Sequence, residues 1–155
     1  IGLLIVGDGS YRGHLARYAR SLGISDQVVF ERGREDLTSY FKTAYALMMP
    51  ALNTDFETTL EDAAAAGCPI IAANVGIAPK IIAHGKNGYL CDPKVPSEFW
   101  AAAGNLIRNP ASRSSIKQNI LATMQEKYMT SNDKDSHAHL FARSWEAAIK
   151  VSREK

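Results

Sequence analysis

The sequence predicts an α/β fold built around a parallel sheet. Three observations carry the prediction. Short runs that are apolar at every position, such as Leu3-Leu4-Ile5-Val6 and Pro69-Ile70-Ile71-Ala72, suit parallel strands buried on both faces. Between them lie stretches whose apolar residues recur at helical spacing. The two kinds of segment alternate from residue 3 to about residue 107, which is the pattern of strand–helix–strand units layered on one sheet. The chain's 155 residues suit a single domain of the ordinary size, roughly 100–200 residues.

The first strand ends in Gly7-Asp8-Gly9. Ser10 is the expected N-cap of a helix carrying Leu15, Ala16, Tyr18, Ala19 and Leu22, and Gly23 stops it. Val28-Val29-Phe30 is a second strand, and Arg34 to Lys42 a short helix with Leu37, Tyr40 and Phe41 on one side. Ala46-Leu47-Met48-Met49 is a third strand, stopped by Pro50. Residues 51–56 read as loop. A helix from Thr58 to Ala66 follows, kept thin by its alanines and ended at Gly67. The fourth strand is Pro69 to Ala72. Pro79 to Ala83 gives a turn or two of helix, and Asn87-Gly88 turns into a short strand, Tyr89-Leu90-Cys91. Pro96 to Ile107, Ser112 to Tyr128 and about 133–151 are the last helices, with Thr130-Ser131-Asn132 as the candidate linker.

Eighteen Lys and Arg against 16 Asp and Glu leave a net charge of +2, with 46% hydrophobic and 22% charged residues. This excludes a disordered chain and a strongly basic nucleic-acid clamp, so no nucleic-acid partner is expected. No apolar run reaches the roughly 18 residues of a membrane span. The start, Ile1-Gly2-Leu3-Leu4, has no Met and no basic flank; it is read as a strand cut from a longer chain and not as a signal peptide. Cys68 and Cys91 are too few for a disulfide framework, and a cytoplasmic location is expected.

Sheets of this kind bind ligands at the carboxyl ends of their strands. The loops to watch are therefore 7–10, 31–34, 50–57, 73–77 and 91–94. Gly7 and Gly9 would let a phosphate approach the backbone at a helix N-terminus. The dinucleotide fingerprint needs a third glycine at position 12, where Arg12 stands, although Glu31 ends the next strand where a ribose-binding acid belongs. A tight strand-to-helix turn and a nicotinamide-binding half-domain both remain open. Asp55 and Glu57 sit near a helix start, where the dipole favours acids; they equally suit hydrogen bonding to sugar or ribose hydroxyls. Asp62 lies inside that helix beside the alanines. His137 and His139, two apart on a helix, face different sides, so no metal site is expected. His14 and His84 read as surface residues. Phe99, Trp100 and Leu106 read as core, and Phe141, Trp145 and Ile149 form a stripe on the last helix.

Four segments in order then resemble a known family. They are Leu3-Leu4-Ile5-Val6-Gly7-Asp8-Gly9-Ser10, Leu22-Gly23-Ile24-Ser25-Asp26 with Val28-Val29-Phe30, Asp62-Ala63-Ala64-Ala65-Ala66-Gly67-Cys68-Pro69-Ile70-Ile71-Ala72, and His84-Gly85-Lys86-Asn87-Gly88-Tyr89-Leu90 with Pro93. Together they resemble the C-terminal, nucleotide-sugar-binding domain of a GT-B-fold glycosyltransferase of the group 1 type. The resemblance implies a three-layer Rossmann-like domain over residues 1–155, the C-terminal half of a GT-B fold. It implies that the domain lacks its first strand and helix, with their diphosphate-neutralising Arg and Lys. It also implies a missing N-terminal domain, toward which the helix at 133–151 docks unless its stripe packs on this domain's own sheet.

The resemblance further implies a hexosyl-type glycosyltransferase taking a nucleotide-diphosphate sugar to a saccharide or lipid-linked acceptor, with no metal or other cofactor. Its location would be cytoplasmic, with attachment to the inner face of a membrane open for the full-length protein. The fragment alone is expected to be inactive. Nucleotide-sugar binding falls to Gly7, Gly9, Phe56, Thr58, Thr59, Asp62 and Gly76, and catalysis to Asp55 and Glu57. The family's E-x7-E motif is altered here. Thr54 replaces its first glutamate and Asp62 its second, while Glu57 replaces a glycine beside the phosphates and Ile77 a second glycine after Gly76. A carboxylate at 57 would repel a diphosphate by about 1–4 kcal/mol, depending on the local dielectric. The alternative is therefore a catalytically degenerate glycosyltransferase-like binding or assembly module.

Overall fold

The computed structural model describes residues 2–33, 36–52 and 56–129, apart from the side chains of Tyr128 and Met129. The chain divides into two compact units, residues 1–37 and 38–155.

In the first unit, β1 (Leu3–Val6) runs parallel to β2 (Val28–Glu31), with Leu3 opposite Val28 and Val6 opposite Glu31. The connection is α1 (Arg12–Ser21) and a 3-10 turn at Ser25–Gln27. Gly23, at φ +69, ends the helical path as expected. Ser10 is not the N-cap. Tyr11 holds that place without a side-chain bond, because the Arg12 amide already donates to Gly9 O at 3.0 Å and the chain is turning at Ser10. Nor is β1 buried on both faces, since Leu3 and Leu4 remain 50% and 38% exposed. A two-stranded sheet with one helix has too few partners to cover two faces.

Arg12 does most to hold this unit together. Its guanidinium donates to Phe30 O (2.9 Å), Glu31 O (3.0 Å) and Gly7 O (3.3 Å), lies 3.8 Å from Asp8, and sits over the Phe30 ring. One fork thus ties together the carboxyl ends of both strands.

The second unit opens with α2 (Thr38–Thr43), shorter than the expected helix, with Asp36 and Leu37 outside it. Three parallel strands follow, β3 (Leu47–Met49), β4 (Ile70–Ala73) and β5 (Tyr89–Cys91), in the order β3-β4-β5. Leu47 pairs with Ile70, and Ile71 with Tyr89. The helices are α3 (Glu57–Ala65), α4 (Ala78–Ile81), α5 (Pro96–Arg108) and α6 (Pro110–Met129).

All four residues of β4 are buried. Alternate side chains point to opposite faces. Ile71 and Ala73, with Tyr89 and Cys91, pack against Phe99, Ala102 and Leu106 of α5 and Ile116 of α6. On the other side lies α3, burying Leu60, Ala63 and Ala64. The result is helix, sheet, helix. Trp100 is a correction: one residue past Phe99 is 100° round the helix, and it lies 67% exposed.

Two positions fix the helices to the sheet. Gly67, at φ +70, ends α3, and a Cβ there would come 2.9 Å from the Leu121 side chain of α6. Asn87 is the buried polar side chain of the described core. Its Oδ1 accepts from the Ala83 amide (2.7 Å), and its Nδ2 donates to Ile81 O (3.1 Å) and Thr123 Oγ1 (2.9 Å). The loop before β5 is thereby joined to α6. The expected helix at 133–151, its stripe, and His137 and His139 lie outside the described residues.

Two outcomes are expected. Asn87→Ala leaves the Ala83 amide and Ile81 carbonyl without their partner and should lower unfolding stability by about 1–3 kcal/mol, read as a lower urea midpoint. Cys68 gives a pH dependence. Burial raises its thiol from 9.0 to about 11, against smaller opposing effects of the Leu47 amide, Arg113 and Lys117. The unfolded thiol therefore releases its proton first, and stability falls as pH rises from about 9 to 11. Relative to Cys68→Ala, the loss should reach about 2–3 kcal/mol in urea unfolding across that window.

Candidate functional site

In the second unit, β3 and β4 end side by side, and the chain leaves each toward a helix. From β3 it passes Pro50 and Ala51 to α3; from β4 it passes Val75 and Gly76 to α4. A shallow cleft enclosing about 20 Å³ lies between, lined by Met49, Ala51, Phe56, Glu57, Leu60, Val75, Gly76 and Ile77, with Ala72 and Ala73 beneath. This is where a parallel sheet places its ligands. Ligand sites usually enclose roughly 300–1,000 Å³, so a ligand here would lie across the strand ends and not inside a closed pocket.

Phe56 is the N-cap of α3, at φ −114, and makes no side-chain bond to the first turn. The first amides of the helix are therefore left uncapped by its side chain, the arrangement that suits an anion. Gly76 stands across the cleft at φ +56, a left-handed conformation that favours glycine. Glu57 is the charged residue among those lining the cleft. It is the first residue of α3 and exposed. Its carboxylate is favoured there by the helix dipole, at the end an incoming phosphate would use.

The structure thus brings together three of the residues singled out in the sequence: Phe56, Glu57 and Gly76. Thr58, Thr59 and Asp62 lie on α3 but do not line the cleft. Thr58 is exposed, and Thr59 and Asp62 are half-buried. Asp55 and Thr54 lie outside the described residues. Gly7, at φ +143, and Gly9 belong to the first unit. A Cβ on either would meet nothing within 4 Å, so this turn stays open to solvent. There Asp8 accepts from the Gly33 amide (3.2 Å) and Gly7 donates to Glu31 O (3.0 Å). With the Arg12 guanidinium on three carbonyls at these strand ends, the turn reads as a tied structural corner, and the nicotinamide reading loses its support.

Sequence reasoning missed the apolar wall made by Met49, Leu60 and Val75. Its one signal was position, at or just past the ends of apolar runs. A second depression lies among Asn74, Leu90, Cys91, Asp92, Pro93 and Glu98. Its acids serve the loop: Glu98 Oε2 accepts from the Asp92 amide and Asp92 Oδ1 from the Lys94 amide, both at 2.8 Å. Burial, and then Glu98, push the Cys91 thiol up. His84 is exposed and clipped to Leu90, its Nδ1 lying 3.2 Å from the amide nitrogen and 2.9 Å from the carbonyl.

No helix of the described residues is long and apolar enough to cross a membrane. Comparison with known proteins agrees with the geometry. The chain is 35% identical over 99 residues to a D-inositol 3-phosphate glycosyltransferase of Streptomyces avermitilis, covering 63% of this chain and 21% of that protein. It is 32% identical over 123 residues to a GDP-mannose-dependent alpha-(1-6)-phosphatidylinositol monomannoside mannosyltransferase of Mycolicibacterium smegmatis, covering 74% and 32%. The chain thus spans between a fifth and a third of the length of these curated relatives. Among solved structures, Anabaena HepE in complex with UDP superposes with a TM-score of 0.77 at 19% identity, covering 97% of this chain and 41% of that one. The C-terminal domain of the Francisella tularensis group 1 glycosyl transferase LpcC gives 0.70 at 24%, covering 78% and 64%. These likenesses identify the fold as a Rossmann-like half of a GT-B enzyme. Residues 1–122 match the model of the family described as glycosyl transferases group 1, and the chain belongs to that family.

Proposed function

We propose that this chain is the nucleotide-sugar-binding half of a glycosyltransferase that moves a hexosyl group to a saccharide or lipid-linked acceptor. The observation that carries the reading is the cleft at the carboxyl ends of β3 and β4, with the first amides of α3 on one side and Gly76 on the other. In this reading the donor diphosphate lies over the amides of Glu57, Thr58 and Thr59, where first-turn N–H groups and the helix dipole both favour it. The apolar wall excludes water from the sugar phosphate. Asp62, further along α3, accepts from ribose hydroxyls with its two oxygens. Asp55, one residue past the position of the family's first glutamate, stands in for it in this reading. The UDP complexes of HepE, a neighbour in fold, support a nucleoside diphosphate at such a site.

Transfer then depends on positioning and on stabilising charge at the departing diphosphate. No cofactor takes part, and the donor is the small molecule the site selects. The acceptor and the other wall of the reaction centre come from an N-terminal domain. Residues 1–155 alone therefore bind donor without turning it over. Full-length, the enzyme works in the cytoplasm or at the inner face of a membrane.

Glu57 supports a second reading, a degenerate domain that serves as a binding or assembly module. Its carboxylate lines the cleft and opposes a diphosphate there. Glu57→Gly separates the two.

Calorimetric titration of the chain with UDP, GDP, ADP and NAD is the test. One nucleoside diphosphate should bind, Asp62→Ala should weaken it about tenfold, and Glu57→Gly should change it by less than that. Silence from all three diphosphates, with binding restored in Glu57→Gly, would establish the degenerate module. Binding of NAD alone would overturn both readings.

A further inference from the structure

The floor of the cleft is a small apolar pit. It encloses about 20 Å³, room for roughly one water-sized group. Met49 of β3, Leu60 of α3, and Val75 and Ile77 beyond β4 wall it, over Ala72. Among the described residues around it, Glu57 alone carries a side-chain nitrogen or oxygen. The backbone adds little. The Ala73 carbonyl already accepts from the Val75 amide at 2.8 Å, and the Val75 carbonyl from the Ala78 amide at 3.2 Å. A buried water needs about two to four polar partners, so this pit holds one poorly. A methyl group is of similar size and needs none. Placing one in the pit takes apolar surface out of water.

The donor-binding reading says which part of a ligand reaches this pit. There the diphosphate lies over the first turn of α3, and Asp62 takes the ribose. Asp62 does not line the cleft, so the cleft is left for the sugar. Glu57, exposed at the first position of α3, has acceptor oxygens that suit a ring hydroxyl. The floor offers no such partner. A hydroxymethyl group pressed into it would give up its water and bond nothing in return. We propose that the donor sugar carries a methyl group that fills this pit, as a 6-deoxy hexose or an acetamido hexose does. The proposal rests on the donor-binding reading of the cleft. Met49, Val75 and Ile77 then determine which sugar is taken, while the first turn of α3 holds the diphosphate that all such donors share.

The test compares donors that share a base, by calorimetric titration of the whole chain. The probes for the uridine series are UDP, UDP-glucose, UDP-6-deoxyglucose and UDP-N-acetylglucosamine; the GDP and ADP series are built alike. In an apolar pocket one such carbon group is worth roughly tenfold or more in affinity. One methyl-bearing donor should therefore bind about tenfold more tightly than its plain hexose. Which of the two does so tells a deoxy sugar from an acetamido sugar. Val75→Thr puts a hydroxyl in the pit and Met49→Gln an amide, both at half-buried positions. Either should bring the preference below about threefold. The preference is a ratio of two affinities of one variant, so a general weakening leaves it unchanged. Circular dichroism reads folding, and if one variant fails to fold the other carries the test. A nucleoside diphosphate that binds, with its plain hexose held as tightly as both methyl forms, would overturn the proposal and leave the donor site standing. A preference that survives both substitutions would also overturn it, since its seat would lie outside the pit. Silence from all three nucleoside diphosphates would remove the donor site and the proposal together.

Discussion

The second unit depends on one constraint: β4 is a parallel strand with a neighbour on each edge and a helix layer on each face. Its four residues have no route to solvent, so every one is apolar. The side chains facing α5 meet large partners, Phe99 and Leu106. Across the sheet, α3 approaches with Ala63 and Ala64 around Leu60. Small residues there let α3 lie close, and this brings its N-terminus down to the strand ends. The cleft therefore follows from how β4 is packed. Filling one face with large side chains and the other with alanines sets where the uncapped amides of α3 stand.

This packing explains which parts of the fold were legible. Ile70, Ile71, Ala72 and Ala73 read as strand because double burial demands an unbroken apolar run. Gly23 and Gly67 read as helix stops because both take a left-handed conformation. Leu3 to Val6 showed the same apolar run as β4, yet Leu3 and Leu4 stay exposed. The pattern reports what a strand can be buried against and not whether the cover is present in its unit. Ser10 looked like a cap by residue type, but a cap is a geometry, and the Gly9 carbonyl had already begun the turn one residue earlier. Trp100 was misread because hydrophobicity does not say which side of a helix a residue faces when its neighbour Phe99 already occupies the core side.

The candidate site was legible as a place more than as a set of residues. Loop position after a strand end pointed to 50–57 and 73–77, and Phe56, Glu57 and Gly76 do line the cleft. Leu60 and Val75 were missed because apolar residues near strand ends look like ordinary core until the two ends are seen side by side. Arg12 was read in the sequence as a missing glycine. Its three carbonyl bonds could not be foreseen, since nothing local links position 12 to positions 30 and 31.

The residues that make this chain a family member and those that would make it active are under different constraints. Gly67 meets Leu121, and a Cβ on Gly88 would come 3.0 Å from the Ile70 carbonyl. Asn87 satisfies three partners in a buried place. Each is held by contacts within this chain's own fold and by none that involve the cleft. Of the departures that fall on described residues, Glu57 and Ile77 line the cleft, where the fold asks little of a side chain, and Asp62 does not. A carboxylate at the first position of α3 is even mildly stabilising for the helix, by about 0.3–1 kcal/mol. The same interaction that favours Glu57 locally opposes a phosphate at that helix end. Folding alone would therefore accept Glu57 at no cost, and only the requirements of a bound diphosphate could select against it.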